Sequence, residues 1–205
     1  MKIILTSFFA DIFSEVKKYL PDPKRSVVAF IPTAANVYDD KWFVNIDREK
    51  LVQMGYEVKD VDIANMNDAK IREELFGVDI IFVAGGNAFY LLEQVRKSGF
   101  DEIIKEKRNS DVVYVGSSAG SLLACPSIDI AREFDDHMEA PSLKDFFGLG
   151  LVDFLVLPHY GKEKYLDKMK KVKKEWQDKG FIVRTLRDDQ AIVINNDNEL
   201  LLTVK

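Results

Sequence analysis

Short apolar runs recur along the chain as far as residue 159: KIILTS, VVAFIPTA, YEVKDVDI, DIIFVAGG, VVYVGSS and DFLVLPH. Each is rich in β-branched or aromatic side chains and bounded by polar or turn-forming residues, the pattern of a strand. Between most of them, apolar positions return at three- and four-residue intervals, the period of a helix with one buried face. Strands alternating with such helices predict an α/β fold, a mainly parallel sheet with helices on both faces and so three layers. The end of the chain breaks the alternation. FIVRTLRDD, QAIVINN and ELLLTVK follow one another with a polar turn, NNDN, between the last two, which predicts a C-terminal antiparallel β-hairpin.

Two helices are particularly legible. After DIIFVAGG, Asn87 is suited to cap a helix that places Phe89, Leu92 and Val95 on one side and stops at Gly99. In KEKYLDKMKKVKKEW, Tyr165, Met169, Val172 and Trp176 recur at helical spacing while the lysines fall opposite. That basic stretch reads as the solvated face of an amphipathic helix, with steering of acidic substrates as its functional alternative.

Composition narrows the class. The 205 residues are 47% hydrophobic and carry a formal net charge of −5, with 29 basic against 34 acidic residues. That balance disfavours non-specific attraction to nucleic acid or an anionic membrane. One domain spanning 1–205 is expected, without linkers or repeats. MKIILTSFFADIF is apolar enough to raise the question of a signal peptide, but Asp11 interrupts it and no small-x-small cleavage site follows. It reads as a buried first strand. No run approaches the roughly 18 apolar residues of a membrane span. The lone Cys125 cannot form an intramolecular disulfide and suits a reducing compartment, so a cytoplasmic location is expected.

The candidate chemistry lies in VGSSAGSLLACPS, residues 115–127, where a strand pattern gives way to a helical one. Gly116, Ser118 and Gly120 satisfy Gly-x-Ser-x-Gly in the strand–turn–helix context that the motif requires. Small flanking residues let the chain turn sharply enough to expose Ser118, with unpaired N–H groups of a helix N-terminus beside it. Such a turn also arises for packing alone, and a serine needs a base. Of the two histidines, His137 lies in the polar stretch FDDHMEAP, whereas His159 follows the strand pattern DFLVLP. In an open parallel sheet the carboxyl ends of the strands share one rim, where ligands bind. Ser118, His159 and the acidic pair Asp188 and Asp189, which follows FIVRTLR, all fall at such ends. A fourth end brings Gly85 and Gly86. The N–H groups of Gly86 and of Ala119, next to Ser118, are candidates for an oxyanion hole.

Taken together, VAGGNAFYLL, VGSSAGSLLACPSI, the Pro–His pair of VLPHY and the acidic turn of TLRDDQAIVI resemble, in order and spacing, the dipeptidase E and cyanophycinase family of serine peptidases. The resemblance runs from IPTAA to the final hairpin and implies a class I glutamine amidotransferase-like fold. It implies a catalytic set of Ser118, His159 and Asp188, oxyanion donors Gly86 and Ala119, a small peptide as substrate, and no metal or organic cofactor. The sequence departs from the family in two places. Aspartyl dipeptidases usually have Glu-Gly-Asn where Asp188, Asp189 and Gln190 stand. The loop after the histidine, HYGKEKYLDK, has lysines and no arginine to recognise an acidic N-terminal residue. An aspartyl preference is therefore not implied. Asn87 and Lys164, with Lys162 as the alternative lysine, are candidate substrate contacts.

Other readings compete. An α/β-hydrolase esterase also uses Gly-x-Ser-x-Gly, with its acid between serine and histidine; Asp129, Glu133, Asp135 and Asp136 lie there. Cys125 as nucleophile is disfavoured by its apolar helical setting. His137, Glu139, Asp135 and Asp136 lack a recognisable metal-ligand spacing. A non-catalytic binding protein would share the scaffold. Thr33 and Asn36 of IPTAAN either line the pocket or complete a packed turn.

Overall fold

The computed structural model describes residues 1–196 and 198–204. Strands β1 (Lys2–Thr6), β2 (Val27–Ile31), β3 (Glu57–Asp60), β4 (Ile80–Val83) and β5 (Val113–Ser117) run parallel in the central sheet. Outside that sheet lie β6 (Leu155–Leu157) and β7 (Val183–Thr185). Strand β8 (Gln190–Asn195) pairs antiparallel with β1 and turns back into β9 (Asn198–Thr203), the expected hairpin. The seven-stranded order is β3-β2-β4-β5-β1-β8-β9.

Alternation of side chains along each strand divides the core into two layers. Ile3, Leu5, Ile31, Ile81 and Val83 face one cluster; Ile4, Val28, Phe30, Ile80 and Phe82 face the other. The first is covered by α3 (Asp68–Glu74), α4 (Ala88–Ser98), α5 (Phe100–Glu106), α6 (Ala119–Leu123) and α7 (Leu166–Asp178), the second by α1 (Phe9–Val16) and α2 (Trp42–Gln53). Central strands are continuously apolar because both their faces are covered. MKIILTSFFADIF is accordingly β1 and the start of α1, with Phe9, Ile12 and Val16 fully buried. Among the described residues, no helix is long and apolar enough to cross a membrane.

The sequence reading differs from the structure in one respect that matters for the site. DFLVLPH and FIVRTLRDD do not join the central sheet; β6 and β7 pair in parallel with each other as a separate two-stranded sheet. The edge of β1 that could have received them is occupied by β8. His159 and the acidic pair therefore follow the carboxyl ends of a second, small sheet rather than those of the main one.

Candidate active site

Ser118 stands alone between β5 and α6 at φ 49°, ψ −106°. A non-glycine residue at positive φ in this region costs roughly 1–3 kcal/mol and persists only where its surroundings impose it. Here they do. The Ser118 amide donates to the Thr6 carbonyl at 3.0 Å, and the Ser118 carbonyl accepts from the amides of Ser121 at 2.9 Å and Leu122 at 3.0 Å. The glycines of the motif are required by packing: a Cβ on Gly116 would lie 2.5 Å from the Gly120 backbone, and one on Gly120 would lie 2.0 Å from the Val83 carbonyl oxygen. With helix, strand and turn this close, the Ser118 side chain projects from the turn.

Its Oγ lies 2.9 Å from His159 Nε2. On the other side of the ring, Nδ1 lies 2.7 Å from Asp188 Oδ1. Three side chains distant in the chain thus form one hydrogen-bonded line, in the order serine, histidine, acid. His159 also adopts a positive φ, 59°, just beyond β6. The pairing of β6 with β7 continues past the strands through Leu186 N to Leu157 O at 3.0 Å and Tyr160 N to Leu186 O at 2.9 Å. This carries the loop holding Asp188 alongside His159. Asp189 turns away to pair with Arg187 at 3.0 Å.

A residue that the sequence reading missed completes the arrangement. Ser7, fully buried just after β1, donates its hydroxyl to Asp188 Oδ1 at 2.6 Å and accepts from the His159 main-chain N–H at 2.7 Å. Lys162 Nζ lies 2.9 Å from the second oxygen, Asp188 Oδ2. Burial raises the pKa of the Asp188 carboxyl, but hydrogen bonds from His159, Ser7 and Lys162 outweigh it and hold the group well below the usual carboxylate range. The signal for Ser7 was present: KIILTS is a strand whose carboxyl end lies on the same rim as that of VVYVGSS.

Gly86 lies beside this line at φ 145°, and a Cβ there would meet the Ala34 carbonyl oxygen at 2.2 Å. The IPTAAN turn packs behind it. Thr33 Oγ1 donates to Asp62 at 2.7 Å and Asn36 Nδ2 to the same carboxylate at 2.8 Å, so both residues complete a turn instead of facing substrate. Ala119 is the first residue of α6, where an amide has no partner within its own helix. The two proposed contacts to substrate fare differently from expectation. Asn87 is 1% exposed; its Oδ1 caps α4 by accepting from Phe89 N and Tyr90 N, and its Nδ2 donates to the Asp136 carbonyl. Lys164 lies over the ring of Tyr165, and the lysine beside the serine–histidine–acid line is Lys162.

Among the described residues, the competing chemistries find no matching geometry. Cys125 is fully buried, and burial pushes its thiol up to about 12. Asp129 pairs with Arg132, Glu133 with Lys168, and Asp136 caps Met138 N, while the His159 Nδ1 that an esterase acid would take faces Asp188. Asp135 accepts from Ala88 N at 2.8 Å, and burial raises it to about 6. Asp135 and Asp136 are thus committed to backbone amides and do not converge with His137 on a common point.

Two cavities share Ser118 and His159 in their walls. One, of about 300 Å³, is lined by Phe134 and by Lys168 and Met169 of α7; the other, of about 430 Å³, is lined by Phe8, Tyr38 and Trp42. Asp135 and Lys162 border both.

A sheet of this topology with a half-buried serine at a strand–helix turn, hydrogen-bonded to histidine, defines a hydrolase of serine-peptidase type. The chain belongs to peptidase family S51, whose model matches residues 3–202. It is 30% identical over 200 residues to an uncharacterized peptidase of Pasteurella multocida, covering 98% of this chain and 96% of that one. Peptidase E of Streptomyces coelicolor is 32% identical over 145 residues, 71% of this chain and 55% of its own length. The crystal structure of a Listeria monocytogenes protein named as a candidate peptidase E superposes with a TM-score of 0.93 at 28% identity, covering 100% of this chain and 98% of that one.

Proposed function

We propose that the protein hydrolyses small peptides through an acyl-enzyme, with Ser118 as nucleophile, His159 as general base and acid, and Asp188 as the orienting carboxylate. Ser118 Oγ attacks the scissile carbonyl carbon while His159 Nε2 takes its proton. The imidazolium is stabilised by Asp188, and its proton then passes to the nitrogen of the leaving amine as the C–N bond breaks. Water, deprotonated by the same imidazole, releases the acyl group. The amides of Gly86 and Ala119 serve the oxyanion, each such donor contributing about 3 kcal/mol of transition-state stabilisation.

The observation that carries this reading is the unbroken line from Ser118 Oγ through His159 to Asp188 Oδ1, 2.9 Å and 2.7 Å long at its two links. A fluorophosphonate probe with peptide mapping tests it. Wild type is expected to be labelled at Ser118. Ser118→Ala is expected to lose both labelling and nearly all peptide turnover, a drop on the order of 10⁶ in kcat. Undiminished hydrolysis by pure Ser118→Ala protein would overturn the nucleophile assignment.

A further inference from the structure

Resting on the peptidase reading and deepening it, we infer that the site selects peptides with bulky apolar side chains on both sides of the scissile bond and discriminates against acidic ones. Successive side chains of an extended peptide point to opposite sides. A peptide carbonyl held at Ser118 therefore directs its two flanking side chains toward the two cavities. One cavity is walled by Leu122, Ile130, Ala131, Phe134, Leu157 and Met169. The other is walled by an aromatic group in edge-to-face contact, Phe8 on Trp42, Trp42 on Phe43 and Tyr38 on Phe43, with centroids about 6 Å apart. At the mouths, Trp42 is 55% and Phe134 37% exposed. Apolar surface left in water here is surface that an apolar ligand side chain would cover favourably.

The charges disfavour the alternatives. Asp11, Asp47, Asp135, Asp188 and Glu133 border the cavities against two lysines, Lys162 and Lys168. Neither lysine is uncommitted. Lys162 holds Asp188 Oδ2 at 2.9 Å, and Lys168 donates to the Glu133 carbonyl and lies 3.4 Å from its carboxylate. An acidic side chain would face repulsion and would have to take Lys162 from Asp188. A basic one would find four of the carboxylates already engaged: Asp188 with His159 and Lys162, Asp47 with Ala10 N, Asp135 with Ala88 N and Glu133 with Lys168.

The test combines turnover with binding. Phe-Leu, Leu-Phe, Gly-Leu, Leu-Gly, Asp-Leu, Leu-Asp, Lys-Leu and Leu-Lys are supplied to wild type, Trp42→Ala and Phe134→Ala, and their binding to Ser118→Ala protein is measured by calorimetry. The doubly apolar peptides are expected to exceed every charged peptide at least tenfold in kcat/KM and to bind Ser118→Ala correspondingly tighter. Trp42→Ala and Phe134→Ala are each expected to lower kcat/KM about tenfold for peptides bulky at one position, a different position for each variant, a ratio typical of lost apolar pocket contacts. Melting curves matching wild type would exclude misfolding of either variant. A charged peptide among the best ligands, or a specificity profile unchanged in both variants, would overturn the inference. Absence of turnover and of fluorophosphonate labelling together with tight apolar binding to Ser118→Ala would overturn the peptidase reading and leave the pocket assignment standing.

Discussion

At Asp188, three donors meet one carboxylate: His159 Nδ1 and the Ser7 hydroxyl at Oδ1, Lys162 at Oδ2. The carboxylate of its neighbour Asp189 pairs instead with the exposed Arg187. The contrast separates two residues that are chemically identical in the sequence. Asp188→Asn is expected to lower kcat by about 10⁴, because an amide favours the wrong imidazole tautomer. Asp189→Asn is expected to change it less than twofold, and a reversed result in steady-state assays would reassign the acid. Ser7 acts on the same group from behind. Fully buried, it is expected to act as a positioning residue. Ser7→Ala removes a charge-assisted hydrogen bond worth roughly 1.5–3 kcal/mol. We expect kcat to fall about ten- to a hundredfold with KM little changed, and the acid limb of the kcat/KM profile to move to higher pH. The shift arises because a carboxylate with one donor fewer stabilises the imidazolium better. A thermally destabilised variant with an unmoved pH profile would show Ser7 to be merely structural.

At the scale of elements, the strand–turn–helix of β5 and α6 is held by contacts that leave no space for side chains. Gly120 packs against the Val83 carbonyl of β4, and Gly116 packs against Gly120. Gly120→Ala would bring a Cβ within 2.0 Å of that oxygen, forcing β4 and α6 apart at a cost of about 3 kcal/mol, the upper part of the range for overpacking. Chemical denaturation should register this as a lowered midpoint, with fluorophosphonate labelling impaired in the same variant. A stability equal to wild type would mean that the helix can shift freely against the sheet. The elbow also explains how Ser7 enters the site. Thr6 and Ser117 are register partners at the ends of adjacent parallel strands, so the residue following β1 lies next to the turn that follows β5.

Across the whole molecule, the layer opposite α6 is tied to the site by a buried acid. Asp47, on α2 and 2% exposed, accepts from Ala10 N of α1 at 2.9 Å. Burial raises its carboxyl to about 7, against the lowering effect of hydrogen bonds from Ser117 and Ala10. The folded state thus retains a proton that the unfolded chain releases near pH 4. The resulting stabilisation is complete below that pH and is lost as pH climbs through about 7. Asp135, raised to about 6, acts in the same direction, whereas the depressed Asp188 adds stability that is lost only at more acid pH. Asp47→Asn keeps an acceptor for Ala10 N and has no proton to lose. Its melting temperature should fall less than that of wild type between pH 5 and pH 8, a difference on the order of a few kcal/mol in stability. Parallel melting profiles would show that Asp47 is ionised throughout.

Much of this was legible along the chain. Apolar runs of strand length separated by helical periods are short-range signals, and burying both sheet faces forces those runs to be apolar, so the α/β class, the capped helix at Asn87 and the amphipathic α7 follow from local pattern. Gly-x-Ser-x-Gly marked Ser118 for a local reason as well, since the turn and both glycines lie within five residues. Which partners that serine meets is a long-range question. Only tertiary structure separated β6 and β7 from the main sheet, because β8 takes the edge of β1; brought Asp188 instead of Asp189 to the imidazole; turned the Asn87 amide to the Asp136 carbonyl; and placed Ser7 and Lys162 around the acid. Hydrogen bonds between groups distant in the chain, 29 residues for His159 and Asp188 and 181 for Ser7 and Asp188, leave no periodic trace in the sequence, since they depend on strand register and on which edge each strand occupies.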